Sequence, residues 1–255
     1  MNQIVRYPLL VLVLCLILLW LSAQIGAFFR RRRRSPEESE REDFGIVVAA
    51  TLTLLSLIVG FSFSMASSRY DQPKNLEESE ANAIGTEFAR ADFLPASDAA
   101  TVRTLLKNYL DQRVLFYETR DDLQLRQINA ATAQLETALW SAVQPPASAQ
   151  PTPLAALTVS GMNDVLNSRG FTQAAWLNRI PLAAWGLMTT IAICSNLLIG
   201  YGSRRGEARA ILLLVLPLIV SISFSLIANI DSPRGGMVRV YPENLAGLSQ
   251  SLQKQ

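Results

Sequence analysis

Histidine is absent from this 255-residue sequence, and cysteine occurs only twice. The first absence removes the commonest zinc ligand and the usual general base at neutral pH. Cys15 and Cys194 both lie inside apolar runs, where a thiol acts as a small hydrophobe and says little about redox compartment. Net charge is also scarce, at +2, too little to draw a chain onto nucleic acid. The sequence contains no phosphate loop, no dinucleotide fingerprint and no cluster of metal-ligating side chains. Without histidine or a suitably placed lysine, none of its serines is set up as a nucleophile. Acid-rich pieces at 75–80 and 121–122 read as solvated helix faces. Long strand-type alternation and internal repeats are missing as well. These absences argue against an enzyme and against a bound metal or cofactor.

What the chain has is four long apolar runs, at 8–29, 44–66, 180–201 and 210–230. Each is close to the ~20 residues a helix needs to cross ~30 Å of hydrocarbon. The expected fold is therefore all-α: an integral membrane protein with four transmembrane helices and an extramembrane helical bundle inserted between the second and third. The implied parts are a membrane pair at 1–66, a polar helical domain at 67–179, a second membrane pair at 180–230 and a tail at 231–255. The first run has its strong positive cluster after the apolar core, unlike a secretory signal, and reads as a permanent anchor.

Arginines give a direction. The first connection holds Arg30, Arg31, Arg32, Arg33, Arg34 and Arg41, and the third holds Arg204, Arg205 and Arg209. The positive-inside rule puts both in the cytoplasm, so the helical domain and both termini are expected outside. In a bacterial inner membrane, outside is the periplasm. A competing use of the arginine run is contact with anionic lipid or nucleic acid.

The polar middle reads as helices. Leu76, Ala83, Ile84, Phe88 and Ala91 recur at helical spacing with Glu77, Glu78, Glu80 and Glu87 between them, and this helix is expected to continue the second run outwards, with a bend at Pro73. Ser97 and Asp98 are expected to cap a helix from about residue 99. Further helices are expected through 123–140 and 154–169. The four prolines of 144–153 predict a surface loop.

Two polar stripes stand out where the spans end. Ser64, Ser67 or Ser68, and Asp71 share one face of the second run, while Ser221, Ser225 and Asn229 share one face of the fourth. Such stripes either bind helices together or face water along an ion path. Beside them lie Arg69, Asp71, Asp231, Arg234 and Arg239, with Arg69–Asp231 and Asp71–Arg234 as expected pairs. Gly235 and Gly236 between arginines permit a tight turn after the fourth run.

Two segments, SRYDQPKNLEESEANAIGTEFARADFLP within 62–95 and IDSPRGGMVRV at 230–240, resemble the bestrophin-like family of bacterial four-span membrane proteins. The resemblance covers nearly the whole chain. It implies an oligomeric channel, pentameric by analogy with bestrophin anion channels, lined by the second span, with Phe61, Phe63, Ser64 and Ser68 near the pore and small inorganic ions as cargo. Bestrophins keep both termini and the helical domain in the cytoplasm, the reverse of what the arginine loops indicate here, and no acidic calcium clasp carries over. Two functions follow as expectations. One is a homo-oligomeric anion channel or channel-like protein in the lipid bilayer. The other is a non-conducting scaffold or sensor whose external helical domain binds a partner or ligand.

Overall fold

A computed structural model describes residues 8–32, 38–203, 209–232, 234, 236 and 238–254. Arg33, Arg34, Arg204, Arg205 and Gly235 lie outside the described residues. The described elements are α1 (Pro8–Arg32), α2 (Glu38–Arg90), a 3-10 turn (Ala91–Phe93), α3 (Ala96–Glu118), α4 (Asp122–Ala149), α5 (Pro153–Leu177), α6 (Leu182–Gly202), α7 (Arg209–Ile230) and α8 (Glu243–Leu252). No strand occurs among the described residues. Among the described residues, four segments are long and apolar enough to cross a membrane.

The chain divides into two compact units, Met1–Arg69 with Arg179–Arg239, and Tyr70–Asn178 with Val240–Gln255. Charge explains the division. At ~1.5 Å per residue, the 53-residue α2 is more than twice the length of a ~30 Å hydrocarbon crossing. Only its 44–68 stretch is free of charged side chains, so only that stretch belongs in lipid. The same argument, applied to the candidate span Pro153–Gly202, selects the uncharged residues from 180 onward.

In the first unit α1 packs on α6 and α7. The approach of α1 to α6 is close enough to bring backbone against backbone. A Cβ on Gly26 would overlap the Leu197 carbonyl, and one on Gly200 would overlap the Ala23 carbonyl. Small residues allow this, as is common where lipid supplies no hydrophobic drive between helices. Ser22 Oγ donates to the Ile193 carbonyl across the same seam at 2.8 Å. Trp185 and Phe224 meet edge to face, with ring centroids 6.2 Å apart, among Val11, Leu55, Met188 and Ile227. Arg30 Nη1 donates to the Tyr201 carbonyl at 3.3 Å, and the Phe44 and Tyr201 rings lie 5.4 Å apart. The C-terminal ends of α1 and α6 and the start of the α2 membrane stretch are thus at one end of this unit, where both arginine-bearing connections begin.

The second unit is a helical bundle around Ile84, Leu106, Leu110, Leu139, Met162 and Val165. Two predicted boundaries are corrected. Residues 144–149 continue α4 through Pro145 and Pro146, leaving Gln150–Thr152 as the connection. The two prolines fall in the last turns, where each removes one N–H bond to the carbonyl four residues back, and Pro146 is itself buried. The α3 helix starts at Ala96 with Pro95 in the cap position and no side-chain cap, so Ser97 and Asp98 lie inside the first turn. There Asp98 still favours the helix dipole. Pro73 sits within α2 without ending it. Asp121 Oδ1 accepts from Leu123 N–H at 2.9 Å to cap α4, and Thr152 Oγ1 accepts from Ala155 N–H at 3.1 Å to cap α5.

The stretch after residue 240, read from sequence only as a tail, forms α8. Its first turn has no cap of its own. Glu77 on α2 supplies one, accepting from Leu245 N–H at 2.8 Å and from Asn244 Nδ2 at 2.7 Å. A carboxylate against a helix N-terminus satisfies free donors and meets the positive end of the dipole.

Candidate functional site

The membrane stretch of α2 is the least covered helix of its unit. Only 6% of its apolar window is buried inside the chain, against 28% for α1 and 44% for α7. Phe61, Ser64 and Ser68 are all exposed and lie at three- and four-residue steps, which puts them on one face. Phe63 is also exposed but points elsewhere. With Leu52, Ser56 and Gly60 it lines an apolar groove of about 400 Å³ that α7 closes with Ile219 and Ser223. Here Ser56 and Ser223 bond back to carbonyls of their own helices, at 2.9 and 3.0 Å.

The α7 stripe lies in different surroundings. Ser221 and Asn229 are buried within the unit, and Ser225 is half-buried. Asn229 Oδ1 accepts from Val238 N–H at 3.3 Å, so the chain leaving α7 folds back over this side chain. Gly236 is required there, because a Cβ would overlap the Asn229 oxygens. Arg239 Nε donates to the Gly236 carbonyl at 3.3 Å and closes the turn.

Of the boundary charges, Asp231 is the most constrained. It is buried, and its Oδ1 accepts from Ile180 N–H at 3.0 Å, which ties the end of α7 to the entry of α6. Burial pushes its pKa up, while the Ile180 N–H and the nearby Arg179 and Arg69 charges oppose the rise. Arg69 is therefore close enough to Asp231 to act on it, and Arg179 joins them. Arg234 is half-buried in this unit, and Asp71 is exposed on the other.

The second unit contains a charge cluster that takes in Glu77 and Glu80, expected on a solvated face. Glu77, Glu80 and Glu87 are all buried. Glu80 pairs with Arg113 of α3, and both side chains are 0% exposed. The second Arg113 contact, from Nη2 to Glu80 Oε2, spans 3.3 Å. Thr172 Oγ1 on α5 reaches the same oxygen at 3.2 Å. The Arg113 guanidinium lies over the Phe116 ring at 4.3 Å. Burial works against the arginine charge, but Glu80 more than offsets it and holds the proton on more firmly.

A second pair, Arg169–Glu136, joins α5 to α4, with Arg169 Nη2 donating to the Asn129 carbonyl at 3.2 Å. Burial raises the Glu136 pKa against the pull of Arg169. Tyr109 feels Glu80, Arg113, Glu136 and Arg169 together, and burial, the largest influence, keeps its phenol protonated. Phe116, Tyr117 and Trp176 pack edge to face beside this cluster, with centroids 5.4–5.5 Å apart. The signal for these acids was present in the sequence: 77, 80, 84, 87, 88 and 91 follow three- and four-residue steps, so the acids share the apolar face.

Four membrane helices joined to a bundle with buried charges match a known domain. The bestrophin-like domain model matches residues 13–245. The chain belongs to the bestrophin-like family. Solved structures agree at the level of fold. A single-substitution variant of a bacterial bestrophin homologue from Klebsiella pneumoniae matches this bestrophin-like chain with a TM-score of 0.64 at 14% identity, covering 95% of this chain and 98% of the other. The Klebsiella homologue solved by zinc phasing matches with a TM-score of 0.60 at 17% identity, covering 95% and 96%. No curated protein matches the sequence.

Proposed function

We propose that this bestrophin-like protein is the subunit of a homo-oligomeric channel that conducts small anions along α2. The observation that carries the reading is the bare α2 face. Lipid tolerates exposed apolar side chains, but Ser64 and Ser68 on an uncovered face gain more from water or a neighbouring subunit than from hydrocarbon. Family membership supports the same reading, and the pentamer comes from the bestrophin analogy. The protein resides in a bacterial inner membrane, with the 67–179 domain in the periplasm, on the strength of the arginine connections. Asp231, Arg69, Arg179, Arg234 and Arg239 then set the electrostatics at the outer end of the path.

The test is assembly and accessibility. Mass measurement of the detergent-solubilised particle should give several chains, and Ser64→Cys and Ser68→Cys should react with a water-soluble thiol reagent in the assembled protein. A monomer whose cysteines are shielded from water would favour the second reading, a non-conducting scaffold or sensor. That reading rests on an uncharged polar groove of about 480 Å³ in the helical unit, lined by Asn82, Thr86, Asn244 and Ser251.

A further inference from the structure

Glu87 differs from the other acids of the helical core. Glu77 is held by α8, Glu80 by Arg113 and Thr172, and Glu136 by Arg169. Glu87 is 0% exposed, and neither of its carboxylate oxygens has a hydrogen-bond partner. A bare buried carboxylate is among the costliest groups a core can hold. The surrounding structure is nevertheless shaped to admit it. On α5, Gly161 leaves a notch into which the Glu87 and Arg90 side chains project, and a Cβ there would collide with both.

The charged groups acting on Glu87 are Arg90, one turn on along α2, and Asp164 on α5. They oppose each other. Arg90 is also engaged with α5, where its Nη1 donates to the Leu157 carbonyl at 3.4 Å and its own carbonyl accepts from Thr158 Oγ1 at 3.3 Å. On the α3 side, Arg103 and Lys107 lie over the Phe88 ring at 5.1 and 5.6 Å, and Arg103 pairs with Asp92 at 2.5 Å. Glu80, two turns back on the same face, is committed to Arg113.

We propose that Glu87 is a proton-binding site that locks α5 onto α2: the neutral acid fits the Gly161 notch, and loss of the proton leaves an unpartnered carboxylate that loosens the contact. The balance of forces agrees. Burial dominates and lifts the pKa to about 8, Arg90 lowers it, and Asp164 raises it. The folded unit therefore keeps the proton over a range where the unfolded chain, with a value near 4.5, has released it. The stabilisation is complete below that lower value and is lost as pH rises through about 8. The site does not depend on whether the protein conducts ions.

The test uses the full-length protein in detergent micelles, with two readouts across mildly acidic to mildly alkaline pH. Difference infrared spectroscopy should show a protonated-carboxyl band that disappears with a midpoint near 8, and the thermal midpoint should fall over the same range. Glu87→Gln should abolish both changes. If that variant fails to fold, Asp164→Asn keeps Glu87 in place and should move the midpoint to lower pH, while Arg90→Gln should move it higher. A band and a thermal profile unchanged in Glu87→Gln, or a midpoint that Asp164→Asn and Arg90→Gln both leave in place, would overturn the proposal.

Discussion

Replacing Arg113 with methionine should be among the most damaging single changes in the helical unit. The guanidinium and the Glu80 carboxylate are both fully buried, so neither bulk water nor salt screens the pair. Methionine fills much of the volume but leaves Glu80 with Thr172 as its remaining contact from α5. Breaking a buried pair in this way costs about 3–5 kcal/mol. A carboxylate stripped of its partner can escape by taking up a proton, which for an ordinary glutamate at pH 7 costs roughly 4 kcal/mol. Loss of the stacking on Phe116 adds about 1 kcal/mol. The expected loss is therefore ~4 kcal/mol near neutral pH, shrinking toward pH 5 as the escape becomes cheaper. Denaturant unfolding of the detergent-solubilised protein, followed by tryptophan fluorescence, measures it; Trp176 reports from beside Phe116. Adding Glu80→Leu to the first change should recover at least ~2 kcal/mol, since an apolar pair of similar volume is tolerated where a lone charge is not. A single-variant loss under ~1 kcal/mol, or strictly additive losses in the double variant, would mean that the buried pair contributes little.

Other expectations concern the seams of each unit. Gly200→Leu should separate α1 from α6, because even a Cβ overlaps the Ala23 carbonyl. A drop in the thermal midpoint of several degrees checks this, and an unchanged midpoint contradicts it. Glu77→Ala should free the start of α8 at a cost of about 1–2 kcal/mol, typical of a lost helix cap, seen as faster hydrogen exchange at 243–252 and little change in α4. Ser148→Cys, on an exposed position near the end of α4, should react with an impermeant reagent in intact spheroplasts. Labelling only after lysis would reverse the orientation read from the arginines.

Much of the fold was legible because lipid imposes a simple rule. Uncharged runs of spanning length have one stable solution, and all four appear as helices. The continuity of α2 beyond the membrane was also readable, because residues 75–93 keep a helical period in step with it. Less legible was everything that depends on partners distant in sequence. Glu80 looks like a solvated acid until Arg113, on another helix, is placed beside it. The α8 helix gives little local signal because its cap, Glu77, lies well over a hundred residues away. The proline cluster at 144–153 misled because two of its prolines fall where a helix is ending, and burial of Pro146 outweighs the local preference for a turn. Among the candidate site residues, periodicity puts Ser64 and Ser68 on one face and Ser221 and Asn229 on another. It carries no information on which stripe faces inward, and the structure buries the second while leaving the first exposed.

The most direct test of the central claim is ion flux through the purified protein in liposomes. A conducting α2 path gives a chloride flux above that of empty vesicles, reduced by Ser68→Trp on the exposed face of α2 and unaffected by an equally bulky change at the exposed Ser148 of the helical unit. Absence of flux for any small ion across a range of pH and calcium, from protein shown to be folded and assembled, would contradict it.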